Sequence, residues 1–239
     1  MITSTAIRSG VRNMIESINA EVNDAYDFLS NERDVESLVH FTPIENLKSI
    51  LENGLIPHKM LPAGANVIDS ERLDRMTDCN CLSVTFPNNF MLYSKSNLHS
   101  FVILRISPEI IRDKGFNDVY FMPSNAARHE FLGKHADFRG LTAAKKMFYN
   151  RAVERNGGVV YFRNVLGIPE NYSTDPQAEI LVRGVIPPEY ITGIVFKSDF
   201  DAELARITLD SRYHSLFEVD ESLFGKRIDT AHWQKRYYY

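Results

Sequence analysis

The chain has 239 residues, of which 44% are hydrophobic and 24% charged, and its formal net charge is −4. This composition is typical of a soluble globular domain and excludes a disordered chain, and the slight acidity excludes a protein that coats nucleic acid by charge alone. Since no apolar run approaches the roughly 20 residues of a membrane span and no secretory signal is evident, we expect a cytoplasmic protein.

The first predicted elements are a helix, a strand and a second helix. Residues 7–30 predict an amphipathic helix, because apolar residues recur there at helical spacing: Val11, Met14, Ile18, Val22, Ala25 and Leu29. LVHF at 38–41 predicts a short strand. The next helix is predicted to start with Thr42 as N-cap, Pro43 at the first position and Glu45 completing a capping box. Gly54 is predicted to end it.

The remaining elements follow an irregular polar stretch over 60–80. Strands are predicted at 81–86, 101–106, 119–122, 178–184 and 193–198. Helices are predicted at 108–115 and 143–152, with a helical turn at 187–191, a loop over 156–174 and mixed helix after Phe200. Short strands with few helices between them favour an α+β fold with a mostly antiparallel central sheet and flanking helices.

No composition shift or linker divides the chain, so we expect a single domain over 1–239. Within it, residues 1–35 are expected to form an N-terminal helical extension, residues 36–200 the core and residues 201–239 a C-terminal helical tail.

The common signatures of nucleotide, metal and hydrolase sites are absent. The sequence contains no GxGxxG, GxxxxGK[ST], HExxH or GxSxG motif. Cys79 and Cys81 are separated by one residue, a spacing that suits neither a disulfide framework nor a zinc site. Both are therefore predicted to be small residues that enter a strand.

Polar residues at strand edges are the remaining candidates for chemistry. They are His40 and Thr42, the run Arg72, Asp74 and Arg75, and the pair Gln177 and Glu179. A histidine at a strand end is more often structural than functional, and the RLDR run equally fits a local ion pair. Glu179 directly precedes the apolar run ILV, where a carboxylate needs a cation or hydrogen bonds to hold its charge. It is a candidate general base.

One basic stretch contrasts with the acidic balance. Between residues 128 and 155 the basic residues are Arg128, Lys134, Arg139, Lys145, Lys146, Arg151 and Arg155, against Glu130, Asp137 and Glu154. The stretch fits a solvated helix face as well as a track for a phosphate backbone. Tyr93, Phe148 and Tyr149 are candidates for stacking on bases, although core positions are the commoner role of such residues.

Three segments, taken together, resemble the DarT family. They are HFTPIENLKSILENGLIP (40–57), SERLDR followed by LSVTFPNNFMLY (70–93), and QAEILVRGVIPPEYITGIVF (177–196). DarT proteins are bacterial toxins that transfer ADP-ribose from NAD to bases of single-stranded DNA, and they share the fold of the diphtheria-toxin and poly-ADP-ribose transferases. The resemblance extends over about residues 36–200, so it implies an ADP-ribosyltransferase core there.

The resemblance implies roles for individual residues, with NAD as the substrate and no metal. His40 and Thr42 match the first NAD-contacting motif of the family, and Asn46 and Gly54 match the helix and turn that shape the pocket. Glu179 matches the catalytic glutamate, which would stabilise the sugar cation as nicotinamide leaves and remove a proton from the acceptor base.

An arginine of the RLDR run is implied as a further functional residue. Arg72 is the first choice and Arg75 the alternative for binding the NAD phosphates bidentately and supporting catalysis. Residues expected to contact DNA are Asn125, Arg128, Lys145, Lys146, Tyr149 and Arg151.

The resemblance also implies partners. These are single-stranded DNA and a cognate antitoxin that removes ADP-ribose from DNA, as in toxin–antitoxin systems with a role in phage defence. The RLD and FPN patterns favour a guanine-modifying branch over a thymine-modifying one. Two alternatives stay open: the same fold acting on RNA, protein or water, and an inactive module that binds NAD or nucleic acid.

Overall fold

The computed structural model describes residues 20–237 except 63, 64, 66, 68–71, 96–98, 116 and 156. The first part of the predicted N-terminal helix, residues 7–19, therefore lies outside the described residues. Residues 20–27 are helical (α1), and a π-helical turn, Phe28–Glu32, follows directly. Val22, Ala25 and Leu29 are buried, as the helical spacing predicts.

A seven-stranded sheet forms the centre of the protein. Its strands are β1 (Leu38–Pro43), β2 (Cys79–Val84), β3 (Phe101–Ile106), β4 (Val119–Met122), β7 (Glu179–Arg183), β8 (Ile191–Phe196) and β9 (Phe217–Val219). They lie in the order β4-β7-β2-β1-β3-β8-β9, and every neighbouring pair is antiparallel except β8 and β9. A separate hairpin joins β5 (Ala152–Arg155) and β6 (Gly158–Tyr161). The predicted α+β class is confirmed.

Short helices surround this sheet. They are α2 (Leu47–Asn53), α3 (Asn89–Lys95), α4 (Glu109–Lys114), α5 (Gly140–Met147), α6 (Phe162–Leu166), α7 (Asp199–Thr208) and α8 (Thr230–Tyr237). Single 3₁₀ turns lie at Ile44–Asn46, His58–Met60, His135–Asp137, Pro188–Tyr190, Ser211–Leu216 and Glu221–Phe224. In the described part of the chain, no helix combines the length and the apolar character needed to cross a bilayer.

The two faces of the sheet bury different clusters, because side chains alternate along a strand. The residues of β1, β3 and β8 on one face are Leu38, Leu104 and Ile194, and they belong to the main core with helices α1, α2, α4, α5 and α7. The residues on the opposite face are Val39, Ile103 and Val195, and they pack against Phe86 and Leu223.

The predicted capping box at Thr42 is wrong. β1 continues through Pro43, a 3₁₀ turn follows, and α2 begins only at Leu47 with no side-chain cap. The Thr42 hydroxyl accepts a hydrogen bond of 3.1 Å from the amide of Asn46. Thr42 is 4% exposed, so its side chain is part of a buried polar contact instead of a helix start.

Three further boundaries differ from the sequence prediction. The helix predicted at 143–152 ends at Met147, and Ala152 opens β5. The loop predicted over 156–174 contains β6 and α6. The tail after Phe200 is largely helical, but it also contributes β9 to the central sheet.

Gly54 ends α2 in a conformation that only glycine adopts easily, with φ 83° and ψ 174°. A Cβ here would lie 2.5 Å from the carbonyl oxygen of Ile186, which accepts the hydrogen bond from Leu55 N. Gly115 has nearly the same backbone angles, φ 79° and ψ 176°, with nothing within 4 Å of its Cβ position.

Gly54→Ala is therefore expected to be more destabilising than Gly115→Ala. Both variants bear the backbone strain of about 1–3 kcal/mol, and Gly54→Ala adds an overpacking cost of about 1–3 kcal/mol. Urea unfolding of both variants measures this difference. Equal losses in the free energy of unfolding would show that the contact with Ile186 relaxes without cost.

Candidate active site

The site lies where the central sheet splits. β1 and β2 pair only at Leu38↔Val84 and Val39↔Ser83, although β1 pairs with β3 along all six of its residues. Beyond Val39 and Ser83 the two strands diverge. The strands and loops on either side of this split carry the polar residues that were predicted, from the sequence, to stand at strand ends.

A cavity of about 660 Å³ occupies the split. Its lining includes His40 and Thr42 from β1, Asn46 and Gly54 at the two ends of α2, Arg72 from the loop before β2, and Glu179 at the start of β7. Residues separated by up to 139 positions in sequence (179 − 40) thus meet at one cavity. Its volume lies within the range of small-molecule sites, roughly 300–1,000 Å³.

His40 bridges the split. Its Nδ1 lies 2.9 Å from the carbonyl oxygen of Cys81, and because a carbonyl only accepts, Nδ1 carries the proton. Burial lowers the pKa of His40, and the charge of Arg72 lowers it further against the opposing effect of the Cys81 carbonyl. The ring is therefore neutral at pH 7, and its Nε2 is a hydrogen-bond acceptor.

The helix α2 contributes a polar wall that the sequence analysis missed. Ser49 and Asn53 line the cavity together with Asn46, because residues three to four apart share one face of a helix. The opposite face of α2 buries Leu47 and Leu51 in the main core. From the sequence alone, such a polar face is indistinguishable from a face turned to solvent.

Arg72 is fixed by an ion pair and two backbone carbonyls. Its Nε and Nη2 donate to the two carboxylate oxygens of Asp74 at 3.1 and 2.8 Å. Nη1 donates to Cys79 O at 2.9 Å, and Nη2 also donates to Met76 O at 2.8 Å. The side chains of Arg72 and Asp74 are only 11% and 7% exposed.

These contacts change the expected role of Arg72. Four of the five N–H groups of a guanidinium are donated, and the fifth, on Nη1, has no acceptor among the described residues. The bidentate grip on a pyrophosphate expected from the sequence needs two free N–H groups, so it is not available in this arrangement. Arg72 instead presents a fixed positive charge and a single donor at the cavity.

Arg75, the alternative arginine, does not line the cavity. Its side chain is exposed, and its backbone has a left-handed φ of 61°. Of the two arginines considered from the sequence, the geometry places only Arg72 beside the other site residues.

Glu179 is 7% exposed and lies at the edge of the cavity. The backbone N–H of Ala126 donates to its Oε2 at 3.1 Å, and Arg72 is close enough for the two opposite charges to interact. Burial, with a further contribution from Glu179, raises the pKa of the Cys81 thiol well above its ordinary value. Cys81 is therefore a neutral wall residue at pH 7 and not a nucleophile.

None of the six residues expected to contact DNA lines the cavity, but two of them lie close in sequence to Ala126, which donates to Glu179. Asn125 accepts a hydrogen bond from Ala127 N, and Arg128 pairs with Glu130 at 3.0 Å. Asn125 lies next to Ala126, which donates to Glu179. Asn125 and Arg128 therefore lie in the turn that supports the carboxylate.

The other four expected DNA contacts lie over aromatic rings. Lys145, Lys146 and Arg151 lie over Phe28, Phe138 and Phe162 respectively, at 5.0–5.6 Å from the ring centroids. Tyr149 stacks on Phe162 with the centroids 6.2 Å apart. Phe148, a stacking candidate, is buried against Phe28. Much of the basic stretch thus covers apolar surface, as long cationic side chains often do.

No group of three or more potential metal ligands (His, Cys, Asp or Glu) occurs among the described residues.

A sequence model described as ssDNA thymidine ADP-ribosyltransferase, DarT, matches residues 39–224, which is most of the chain. The chain belongs to the DarT family. The resemblance derived from the sequence is thereby confirmed, and with it the enzyme class, an ADP-ribosyltransferase that acts on single-stranded DNA. No curated protein is similar enough to this DarT-family chain to count as a match.

Solved DarT structures share the fold of this DarT-family chain. Thermus sp. 2.9 DarT in complex with ADP-ribosylated ssDNA is 19% identical with a TM-score of 0.56, over 80% of this chain and 97% of that one. The same Thermus protein in complex with NAD+ is 17% identical with a TM-score of 0.53, over 80% and 98%. Thermosipho africanus DarTG in complex with ADP-ribose is 19% identical with a TM-score of 0.53, over 79% of this chain but only 51% of that one.

Proposed function

We propose that this protein transfers ADP-ribose from NAD to thymine in single-stranded DNA, with NAD bound in the cavity of the split sheet. The observation that carries the proposal is the meeting of His40, Thr42, Arg72 and Glu179 around one cavity. Structures of Thermus DarT with NAD+ and with ADP-ribosylated ssDNA support the choice of both substrates.

The reaction breaks one bond and forms one. The bond between nicotinamide and C1″ of the ribose breaks, and nicotinamide leaves with the electron pair. A ring nitrogen of the base then forms the new bond to C1″ and loses its proton to Glu179. Because the sugar carries oxocarbenium character between these events, the buried carboxylate of Glu179 also stabilises it electrostatically.

The remaining residues of the cavity bind and orient NAD in this proposal. The neutral Nε2 of His40 accepts a hydrogen bond from a ribose hydroxyl or an amide N–H. The amide of Asn46 is held by Thr42, so its orientation is fixed before the ligand arrives. Arg72 contributes its single free N–H and its charge near the phosphates.

The state of His40 gives the affinity for NAD a defined pH dependence. The pKa of His40 is lowered from 6.5, so affinity is expected to be constant from pH 8 to about 6.5. At lower pH it falls, since Nε2 gains a proton in the free enzyme and loses its acceptor lone pair. Calorimetric titration of NAD across this range measures the profile.

His40→Gln is the matched control for this profile. Its amide can donate to Cys81 O and accept a hydrogen bond with its oxygen, but it does not titrate. The variant is expected to bind NAD more weakly and with no dependence on pH below 6.5. A fall in affinity below pH 6.5 that persists unchanged in His40→Gln would contradict the acceptor role of His40.

The choice of thymine follows the family description, which names thymidine and not guanine. The base has to leave the stack to reach a cavity in the sheet, which favours single strands. Four short DNA single strands, each lacking one base type, are to be incubated with the enzyme and NAD, and their masses are then measured by mass spectrometry. We expect one added ADP-ribose on every strand except the one without thymine. Modification of that strand, or of no strand, would overturn the proposal.

A cytoplasmic location and a cognate antitoxin that removes ADP-ribose from DNA complete the proposal. An unrestrained DNA-modifying enzyme damages its own host, so a reversing partner is needed. The structure of Thermosipho africanus DarTG in complex with ADP-ribose supports such a partner.

A further inference from the structure

We propose that two buried arginines, Arg163 and Arg227, position Glu179 by clamping the loop that precedes it, residues 167–178. Together with Asp229 and Trp233 these arginines form what we call the loop clamp. The proposal rests on the proposed role of Glu179. It assigns a catalytic consequence to the C-terminal segment after residue 224, which the DarT sequence model does not match.

Arg163 holds the first part of the loop. It is the second residue of α6 and is 1% exposed. Its Nη2 donates to the carbonyl oxygens of Pro169 and Glu170 at 2.6 and 3.4 Å. Its Nη1 donates to the carbonyl of Tyr172 and to the hydroxyl of Thr174, both at 2.9 Å.

Arg227 holds the next two residues from the other side. Its Nη1 donates to Ser173 O at 3.0 Å, and its Nη2 donates to Thr174 O at 3.2 Å. The two arginines therefore bind the carbonyls of five residues within one six-residue stretch: Pro169, Glu170, Tyr172, Ser173 and Thr174. Such a set of planar, oriented donors fixes a backbone path as well as stabilising it.

Asp229 and Trp233 hold Arg227 in place. Both carboxylate oxygens of Asp229 accept from Arg227, at 2.8 and 2.5 Å. Nε1 of Trp233 donates to Asp229 at 2.7 Å, and its ring packs edge-on against Phe162, the neighbour of Arg163 in α6. The side chains of Arg227 and Asp229 are 2% and 0% exposed.

The clamped stretch leads directly to the catalytic strand. Asp175 follows Thr174, and its side chain and carbonyl accept from the N–H groups of Gln177 and Ala178. Glu179 is the next residue and the first of β7. A shift of the loop is therefore transmitted to the carboxylate through Asp175, Gln177 and Ala178, which these hydrogen bonds hold together.

The clamp lies apart from the NAD-binding wall. Of residues 163–178 and 225–237, none lines the cavity, whose lining comes from β1, β2, α2, α3, the loops beside them and Glu179 of β7. Disturbing the clamp is therefore expected to leave NAD binding unchanged and to misplace Glu179. A 1 Å misplacement of a catalytic group can lower the rate about 100-fold. Since NAD binding is expected to be unchanged, kcat should fall and KM for NAD should stay the same.

The test is Arg227→Lys, measured with the full-length enzyme. Lysine keeps the charge opposite Asp229 but lacks the fork that reaches Ser173 and Thr174 as well. We expect kcat for transfer to single-stranded DNA to fall about 100-fold with KM for NAD unchanged. Amide hydrogen exchange over 167–178 is expected to increase, and the fluorescence of Trp233, the only tryptophan, is expected to shift to longer wavelength.

Trp233→Phe is a second variant that keeps an aromatic ring at this position, removes the Nε1 donor and leaves a small cavity in place of the indole. It is expected to lower kcat less than Arg227→Lys and to increase exchange in the same loop. Lys226→Ala, an exposed neighbour, is the local control. Ile111→Ala, in the buried core of α4, is the control for lost stability and should retain kcat in its folded fraction.

Unchanged kcat in Arg227→Lys, or a loss of kcat no greater than in Ile111→Ala at the same folded fraction, overturns the positioning role. If amide hydrogen exchange over residues 167–178 is unchanged in Arg227→Lys, the loop clamp itself is overturned, independently of the role of Glu179. Failure of the proposed function would give a different pair of results. Glu179→Gln would then keep its transfer activity, while Arg227→Lys would still increase amide hydrogen exchange over residues 167–178.

Discussion

Glu179→Gln is expected to lower kcat for ADP-ribosyl transfer by about 10²–10³-fold, the usual loss when one group that stabilises transition-state charge is removed. Glutamine preserves the shape of the side chain and can still accept the hydrogen bond from Ala126 N. It lacks the negative charge that stabilises the sugar cation and cannot take the proton of the acceptor base. KM for NAD is expected to change little, because the walls of the cavity are untouched.

Initial rates of nicotinamide release and of strand modification measure this loss, and thermal unfolding checks the fold. Glu130→Gln is the matched control, since its side chain is 58% exposed and forms an ion pair with Arg128. If Glu179→Gln retained the rate of the control, the carboxylate would have no part in the chemical step.

The second large effect is expected at Arg72. Arg72→Ala leaves the carboxylate of Asp74, which is 7% exposed, without its cation. Breaking a buried pair by removing one partner costs about 3–5 kcal/mol. The variant is expected to lose this much in the free energy of unfolding, together with its transfer activity, because the positive charge beside Glu179 is lost as well.

A double variant separates these two roles of Arg72. Arg72→Ala with Asp74→Ala removes the stranded carboxylate, so it is expected to recover part of the stability but none of the activity. Arg75→Ala is the control, and because Arg75 is exposed and does not line the cavity it is expected to stay within about 0.5 kcal/mol of wild type. Urea unfolding measures the stability of all three variants, and transfer assays measure their activity. Activity that returns together with stability would make Arg72 a purely structural residue.

The sequence predicts the strands of this fold well where the apolar run is continuous. β3 and β4 have the predicted bounds, because most residues of both strands are buried and their apolar side chains form a nearly continuous run. The start of β2 was missed by two residues, since Cys79 and Asn80 are not typical strand residues. β9 was missed altogether, because its three residues are too short for a detectable period.

The candidate site was predictable only through the resemblance to the DarT family. His40, Thr42, Arg72 and Glu179 come from three distant segments, and only a known fold brings them to one cavity. Ser49 and Asn53 were missed because a helix face that lines a cavity has the same polar pattern as a face in solvent. The contacts of Arg72 were missed as well, since a local ion pair within RLDR and a ligand-binding arginine look identical in sequence.

The loop clamp shows a further limit of the sequence. Arg227, Asp229 and Trp233 lie in the predicted helical tail, about 50 positions beyond the loop that they bind. A buried arginine in a tail is indistinguishable from a solvated one until its partners are known. Only the fold shows that these side chains meet the segment before Glu179.

The most direct test of the central claim follows nicotinamide and DNA in one reaction. The enzyme, NAD and a thymine-containing single strand are mixed, and free nicotinamide and modified strand are quantified over time. We expect one nicotinamide for each ADP-ribose added to thymine, and both products to form about 10²–10³-fold more slowly with Glu179→Gln. Nicotinamide released without modification of the strand would make water the acceptor and would contradict a DNA-directed transferase.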